Sequence, residues 1–180
     1  LRRLARSHLP PMLNLWVTDS QRVVMVASSG GQSTDDPYAP IVQRIQSQPD
    51  LPPRIRVEPQ GPVGDASVLA LGHPSRKPWA RQILDWCGEQ VELNGERVRI
   101  GPHTFEGPEV AVLVSCSHPT SPHRVGTLFF GMSPSAVAKV ARLLFFYGWD
   151  SYVIFRDGHA VARGLFAPPI TEEVSLTNVH

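Results

Sequence analysis

The sequence predicts an α/β domain built on a mostly parallel sheet, and three observations carry that expectation. Short β-branched runs recur that are apolar throughout rather than at alternate positions, as in strands covered on both faces. Stretches with helical spacing of apolar residues lie between them. The runs end in Gly-, Ser- and Pro-bearing loops, where a chain turns from strand into helix. Strand, loop and helix in repetition imply a Rossmann-like or flavodoxin-like sheet with helices on both faces and a small β-hairpin. A chain of 180 residues, 42% hydrophobic, suits one domain with a sizeable core. Its expected limits are 22–166, with an N-terminal extension or linker over 1–21 and a tail over 167–180.

Each element has a local reason. "RVVMVA", Arg22 to Ala27, reads as a buried strand and runs into the turn "SSGG". In "DDPYAPIVQRIQSQ", Asp36 can cap a helix, Pro37 fits its first position, and Tyr38, Ile41, Val42 and Ile45 share a face. The proline-rich stretch from Pro49 to Gly64 reads as an extended connection with "RIRVE" as an edge strand. "ASVLALG" is the second strand, and "HPSRKPWARQILDWCG" its helix, with Trp79, Ile83, Trp86 and Cys87 at helical spacing. "VELNGERVRIG" reads as a hairpin turning at Asn94-Gly95. "EVAVLVSCS" and "RVGTLFFG" are the third and fourth strands, with "HPTSPHR" as a proline-stiffened crossover between them. Ser133 caps a helix with Pro134 in its first turn, and Gly148 ends it. "SYVIFRD" and "HAVARGLF" meet through Asp157-Gly158, as a hairpin or as sheet strands in sequence.

Composition excludes several classes. With 18% charged residues and a net charge of +1, the chain offers no basic surface to drive nucleic-acid binding. No apolar run reaches the roughly 20 residues of a membrane-spanning helix, so no membrane partner is expected. The start at Leu1, with "LRRLARSHLPP" lacking an apolar centre, reads as an internal cut in a larger protein. Cys87 and Cys116 lack CxxC spacing and sit in apolar company, where they read as buried thiols.

Ligands of open α/β sheets bind beyond the carboxyl ends of the strands. Three loops are expected there: Ser28-Ser29-Gly30-Gly31, His73-Pro74-Ser75-Arg76-Lys77, and Ser117-His118-Pro119. The first has neither the GxGxxG pattern nor the Walker A Lys-Ser/Thr. Arg76 and Lys77 stand at a helix start, where cations oppose the macrodipole unless an anion is nearby. A zinc set could draw on Cys116, His118 and His123 with His73, at a spacing no known finger uses. Ser133 shares only three letters with a nucleophile elbow and is better used as a cap, and there is no HExxH. No metal, cofactor or catalytic residue is therefore assigned. The ligand-site candidates are His73, Ser75, Arg76, Lys77, Ser29, Gly30, His118 and His123.

From "ASVLALGHPSRKPWARQIL" onward the chain resembles a module of large bacterial hydrolases. The pattern is a strand ending in Gly-x-Pro, a helix, a hairpin, a strand, a "PNPxNPxRY"-like loop, a strand, Gly, a helix and "DYVVF". Gly72-His73-Pro74, "SHPTSPHRV" (Ser117 to Val125) and "DSYVIF" (Asp150 to Phe155) occupy those places here, with both loop asparagines absent and Val125 in place of the tyrosine. The resemblance implies a Rossmann-like accessory domain attached to prolyl-oligopeptidase-like α/β-hydrolases or gluzincin-type aminopeptidase chains. Its implied partner is the catalytic domain of the same parent chain, its implied setting secreted or periplasmic. Two rival functions follow from the residues themselves. One is a small hydrolase using His73 and His118 with Ser28 or Ser75. The other is an anion- or sugar-binding module using Arg76, Lys77 and the amides of Ser29 to Gly31.

Overall fold

The computed structural model describes residues 9–14, 24–28, 35–47, 54–57 and 66–168. In chain order these form β1 (Val24–Ser28), α1 (Ala39–Gln46), β2 (Arg54–Val57), β3 (Ser67–Leu71) and α2 (Pro78–Asp85). There follow β4 (Val91–Asn94), β5 (Arg97–Ile100), β6 (His103–Glu106), β7 (Val110–His118) and β8 (Ser121–Gly131). The last are α3 (Pro134–Val140), a 3₁₀ turn (Leu144–Tyr147), β9 (Tyr152–Arg156) and β10 (His159–Gly164). No helix among the described residues is long and apolar enough to cross a membrane.

The mostly parallel sheet with helices on both faces is not what forms. The main sheet has seven strands in the order β10-β9-β7-β8-β3-β1-β2, and β4-β5-β6 make a separate sheet of three. Pairings on the β2 side (β2 with β1, β1 with β3, β3 with β8) are parallel. Those on the other side (β8 with β7, β7 with β9, β9 with β10) are antiparallel. Among the described residues ten strands stand against three α-helices, so the domain is mostly β. The error has a physical source. A continuously apolar strand reports burial on both faces and carries no information about direction. β7 is buried along Val110 to Cys116 and yet runs antiparallel to both neighbours.

The loop between β7 and β8 shows where the topology departs. His118 pairs with Ser121, so only Pro119 and Thr120 lie between the strands, with a register shift at Ser117/His118. "HPTSPHR" is thus a tight hairpin end rather than a crossover. The turn between β4 and β5 is also one residue on from its expected place: Asn94 pairs with Arg97, and Gly95 has φ +61°. Glycine with positive φ at the first loop position is the pattern of a type II′ turn rather than type I′. The extra strand β6 completes a three-stranded meander. Asp157 and Gly158 both have positive φ and join β9 to β10 as a hairpin.

Alternation along the strands divides the core. Leu69, Leu71, Leu113, Phe129, Val153 and Phe155 face α1, α3 and the buried Leu13. Val68, Ala70, Val112, Val114, Leu128, Phe130 and Ile154 face α2 and the small sheet through Trp79, Ile83, Val98 and Ile100. On this second face a Cβ on Gly126 of β8 would stand 2.4 Å from Trp86, which explains a glycine inside a central strand.

Cys87 and Cys116, expected as thiols, form a disulfide with a Cα separation of 5.1 Å across 29 residues of chain. Strand alternation turns Cys116 toward the face on which the end of α2 lies, and both residues are buried in that core. The bridge ties α2 to the middle of the sheet.

Candidate functional site at the crest of the sheet

The chain leaves β1 through α1 for β2 on one side, and leaves β3 through α2 for β7 and β8 on the other. α1 and α2 lie against opposite faces. The carboxyl ends of β1 and β3 therefore flank a topological switch point, where open sheets leave a crevice. A cavity of about 220 Å³ opens at this end, lined by Asp36, Tyr38, His73, Arg76, Lys77 and Ser133 among others.

The switch point gathers some of the expected residues and disperses the rest. His73, Arg76 and Lys77 line the cavity, with Ser75 exposed beside them. Ser29 and Gly30 lie outside the described residues, as does Gly31. His118 and His123 belong elsewhere: β7 runs antiparallel to β8, so the β7–β8 turn sits at the opposite end of the sheet. Five residues of β7 separate His118 from Leu113, whose partner Phe129 pairs with Leu71 at the crest. At about 3.3 Å per residue that is roughly 16 Å. His73 and His118 cannot share a ligand across it. The thiolate of the zinc set is also lost, because the Cys116 sulfur is bonded to Cys87. Ser28, paired with Leu71, is fully buried and offers no accessible nucleophile.

Two turns of the same design occupy those opposite ends. In His73-Pro74-Ser75 the ring Nδ1 accepts the Ser75 backbone N–H at 3.2 Å and lies 2.7 Å from the Ser75 hydroxyl. In His118-Pro119-Thr120 the ring Nδ1 accepts the Thr120 N–H at 3.2 Å and lies 3.3 Å from Thr120 Oγ1. An imidazole here does what an Asn or Asp side chain does in an Asx turn, holding the backbone two residues on. Its recurrence identifies the Ser75–His73 contact as turn chemistry rather than an activated nucleophile. Among the described residues no carboxylate hydrogen-bonds the His73 ring to complete a triad.

His73 rests edge-on against Phe130, ring centroids 5.1 Å apart. Burial, and then the Arg76 charge, hold its pKa below the ordinary imidazole value. Both effects favour the neutral ring, and because Nδ1 accepts from the Ser75 N–H, the proton of that neutral ring sits on Nε2. NMR titration of the wild type is expected to give a His73 pKa below about 6.5, rising in Arg76→Ala as one depressing charge is removed. The linkage sign follows: stability contributed by a depressed histidine is present above its unfolded pKa and lost as pH falls through the folded one. The wild type should therefore lose more stability than His73→Ala on acidification below pH 6.5. Equal losses would mean that the ring is not held neutral by the fold.

Across the cavity Tyr38 is only 8% exposed, with its ring edge-to-face on Phe129 at 6.1 Å. Burial raises its pKa, with the neighbouring Gly131 backbone and the Arg76 charge acting the other way and the Asp36 carboxylate adding to the rise. Asp36 Oδ1 accepts the Tyr38 N–H at 2.9 Å, fixing the approach to α1. The helix proper begins at Ala39, slightly later than the Asp36-Pro37 signal implies. Ser133 is committed as a cap, accepting the Ala136 N–H at 3.2 Å and donating to the Pro108 carbonyl at 2.6 Å. Sequence reasoning missed Tyr38 and Gly131 as site residues. Tyr38 reads as part of an apolar helix face, and only the neighbouring ends of β3 and β8 bring it to the cavity.

A second hollow of about 310 Å³ lies between α2 and β4. Its charged residues Arg81, Asp85 and Glu92 are engaged in the Arg81–Asp85 and Arg99–Glu92 ion pairs. Apart from both hollows, the segment after α3 exposes an apolar row. Leu143 is 38% exposed, Phe146 72% and Trp149 60%. In a 3₁₀ turn residues three apart eclipse one another, so Leu143 and Phe146 fall on one side, and Trp149 follows two residues beyond the turn. Leu165, also exposed, follows Gly164, whose carbonyl accepts the Ser151 N–H at 2.8 Å, two residues from Trp149. No protein-family model matches the chain, and a search of curated proteins finds no relative.

Proposed function

We propose that the chain is a non-catalytic accessory domain of a larger hydrolase, a peptidase or esterase, and that it packs on the catalytic domain of the same parent chain. The row of Leu143, Phe146 and Trp149 carries this reading. Three large apolar side chains left exposed within one short segment mark a surface made to be covered. Arg44 supports the row from below, its guanidinium 5.8 Å from the Phe146 ring and donating to the Arg142 carbonyl at 3.2 Å. The likeness of "GHP", "SHPTSPHRV" and "DSYVIF" to the hydrolase-associated module supports the choice of partner. The buried Cys87–Cys116 disulfide supports a secreted or periplasmic setting, where such bonds persist.

The rival histidine-dependent hydrolase loses its support with the separation of His73 from His118. Two measurements decide between the readings. Hydrolysis of nitrophenyl esters and peptide amides by the isolated chain is expected to equal that of His73→Ala and of buffer. A tenfold drop on His73→Ala would instead establish an enzyme. In the parent chain, Phe146→Asp with Trp149→Asp is expected to separate the domains, read as independent unfolding transitions in place of one. An unchanged single transition would contradict docking through this row.

A further inference from the structure

We propose that the surface covering the row of Leu143, Phe146 and Trp149 is apolar at its centre and acidic at its rim, with one carboxylate seated on Arg44 and a second opposite Arg142. The inference rests on the docking reading above and adds the chemistry of the partner: the row meets an acidic face of the catalytic domain.

The distribution of charge points to this partner. The whole chain has a net charge of only +1. Yet α1 and residues 134–149, which pack on the same face of the sheet, hold Arg44, Lys139 and Arg142 and no Asp or Glu. Lys139 is satisfied by Asp157 at 2.9 Å. Asp150, beside Trp149 in sequence, is buried and paired with Arg163 at 3.2 Å, so it does not offset the remaining cations. The Arg142 side chain is exposed and makes no hydrogen bond or ion pair among the described residues. Arg44 is exposed too, and it is held in place without a carboxylate. Its guanidinium lies 5.2 Å from the centre of the Phe145 ring and 5.8 Å from that of Phe146, and Nη1 donates to the Arg142 carbonyl at 3.2 Å. That bond leaves most of its N–H donors free among the described residues. A guanidinium fixed against an exposed aromatic ring is the kind of anchor on which interfaces concentrate their binding energy, and the group it grips best is a carboxylate.

The same distribution ranks the other occupants. A second copy docked through this row would, in the commonest symmetry, meet it across a two-fold axis, which sets the patch against itself and arginine against arginine. A lipid surface recognised by charge calls for clusters of about four to eight Lys and Arg, more than Arg44 and Arg142 supply. A domain of the same chain needs neither arrangement. Tethering raises its effective concentration, so an apolar patch rimmed by ion pairs is enough to hold it.

The test is hydrogen exchange of the amides of residues 143–149 in a larger hydrolase chain of the kind proposed to carry the domain, at low and high salt, for the wild type, Arg44→Gln, Arg142→Glu, Arg142→Lys and Phe146→Asp. Protection follows the docking equilibrium. It is expected to fall about tenfold in Arg44→Gln and in Arg142→Glu, as for a lost charge-assisted contact, to survive Arg142→Lys, and to weaken as salt rises. Phe146→Asp should abolish it. Arg142 is exposed and its side chain has no partner among the described residues, so its variants probe the rim without threatening the fold. Protection lost in Phe146→Asp but unchanged in both arginine variants and at high salt would leave the docking reading standing and overturn the acidic partner. Protection unchanged by Phe146→Asp would overturn both. Sedimentation of the purified chain with phosphatidylglycerol vesicles, lost in Phe146→Asp, would assign the face to a lipid surface and overturn the protein partner.

Discussion

Cys87→Ala with Cys116→Ala is expected to lower the unfolding free energy by about 3–4 kcal/mol, the chain-entropy cost of releasing a loop of this length. The bridge spans 29 residues, which include the whole three-stranded sheet. In the unfolded chain it holds α2 close to β7, and that restriction disappears when the cysteines are removed. In the native state little strain is relieved, because both side chains already lie within the core. Urea unfolding is the direct measurement, with a midpoint shift of about 1.5–2 M if the slope is near 2 kcal/mol/M. The wild type in strong reductant should approach the variant, and the oxidised protein should show no reactive thiol. A loss under 1 kcal/mol would mean that the small sheet is held by packing alone.

The second large effect is expected at Phe129. Its side chain is fully buried in the α1–α3 face of the core, on the strand that joins the parallel half of the sheet to the antiparallel half. Phe129→Ala should cost about 3–5 kcal/mol, combining lost transfer free energy with an incompletely collapsed cavity. The same change at Phe146, 72% exposed, should cost no more than about 0.5 kcal/mol in the isolated chain. Chemical denaturation of the two variants side by side separates core from surface. Equal costs would show that Phe129 is not the keystone its burial makes it.

Much of the element order is legible in the sequence, and the reasons are local. Ser133 followed by Pro134 announces a helix start, and Ser133 does cap α3. Asp157-Gly158 announces a hairpin, and both residues take positive φ. Strand direction is a different kind of property. Val110 to Cys116 would look the same in a parallel sheet, and the decisive feature is that only Pro119 and Thr120 separate β7 from β8. "SPHR" is polar enough to be loop, yet it lies within β8, with Ser121 paired to His118 and the register shifting before Val125.

That one misplacement scattered the expected site, because it put His118 and His123 at the wrong end of the sheet. The loop after β3 leaves the strand end where the sequence puts it, and His73, Arg76 and Lys77 line a cavity there. Tyr38 was hidden because its role depends on how β3 and β8 end side by side. The disulfide was hidden for the same reason: pairing of Cys87 with Cys116 is a property of packing, and neither neighbour in sequence signals it.

Hydrogen exchange of the amides from Leu143 to Trp149, compared between the isolated chain and a larger hydrolase chain of the kind proposed to carry it, tests the accessory-domain reading most directly. These amides are expected to exchange quickly in the isolated chain and to become protected in the larger chain, while the buried strands β7 and β8 change little. Equal exchange of this segment in both forms would leave the apolar row uncovered and contradict the proposed docking.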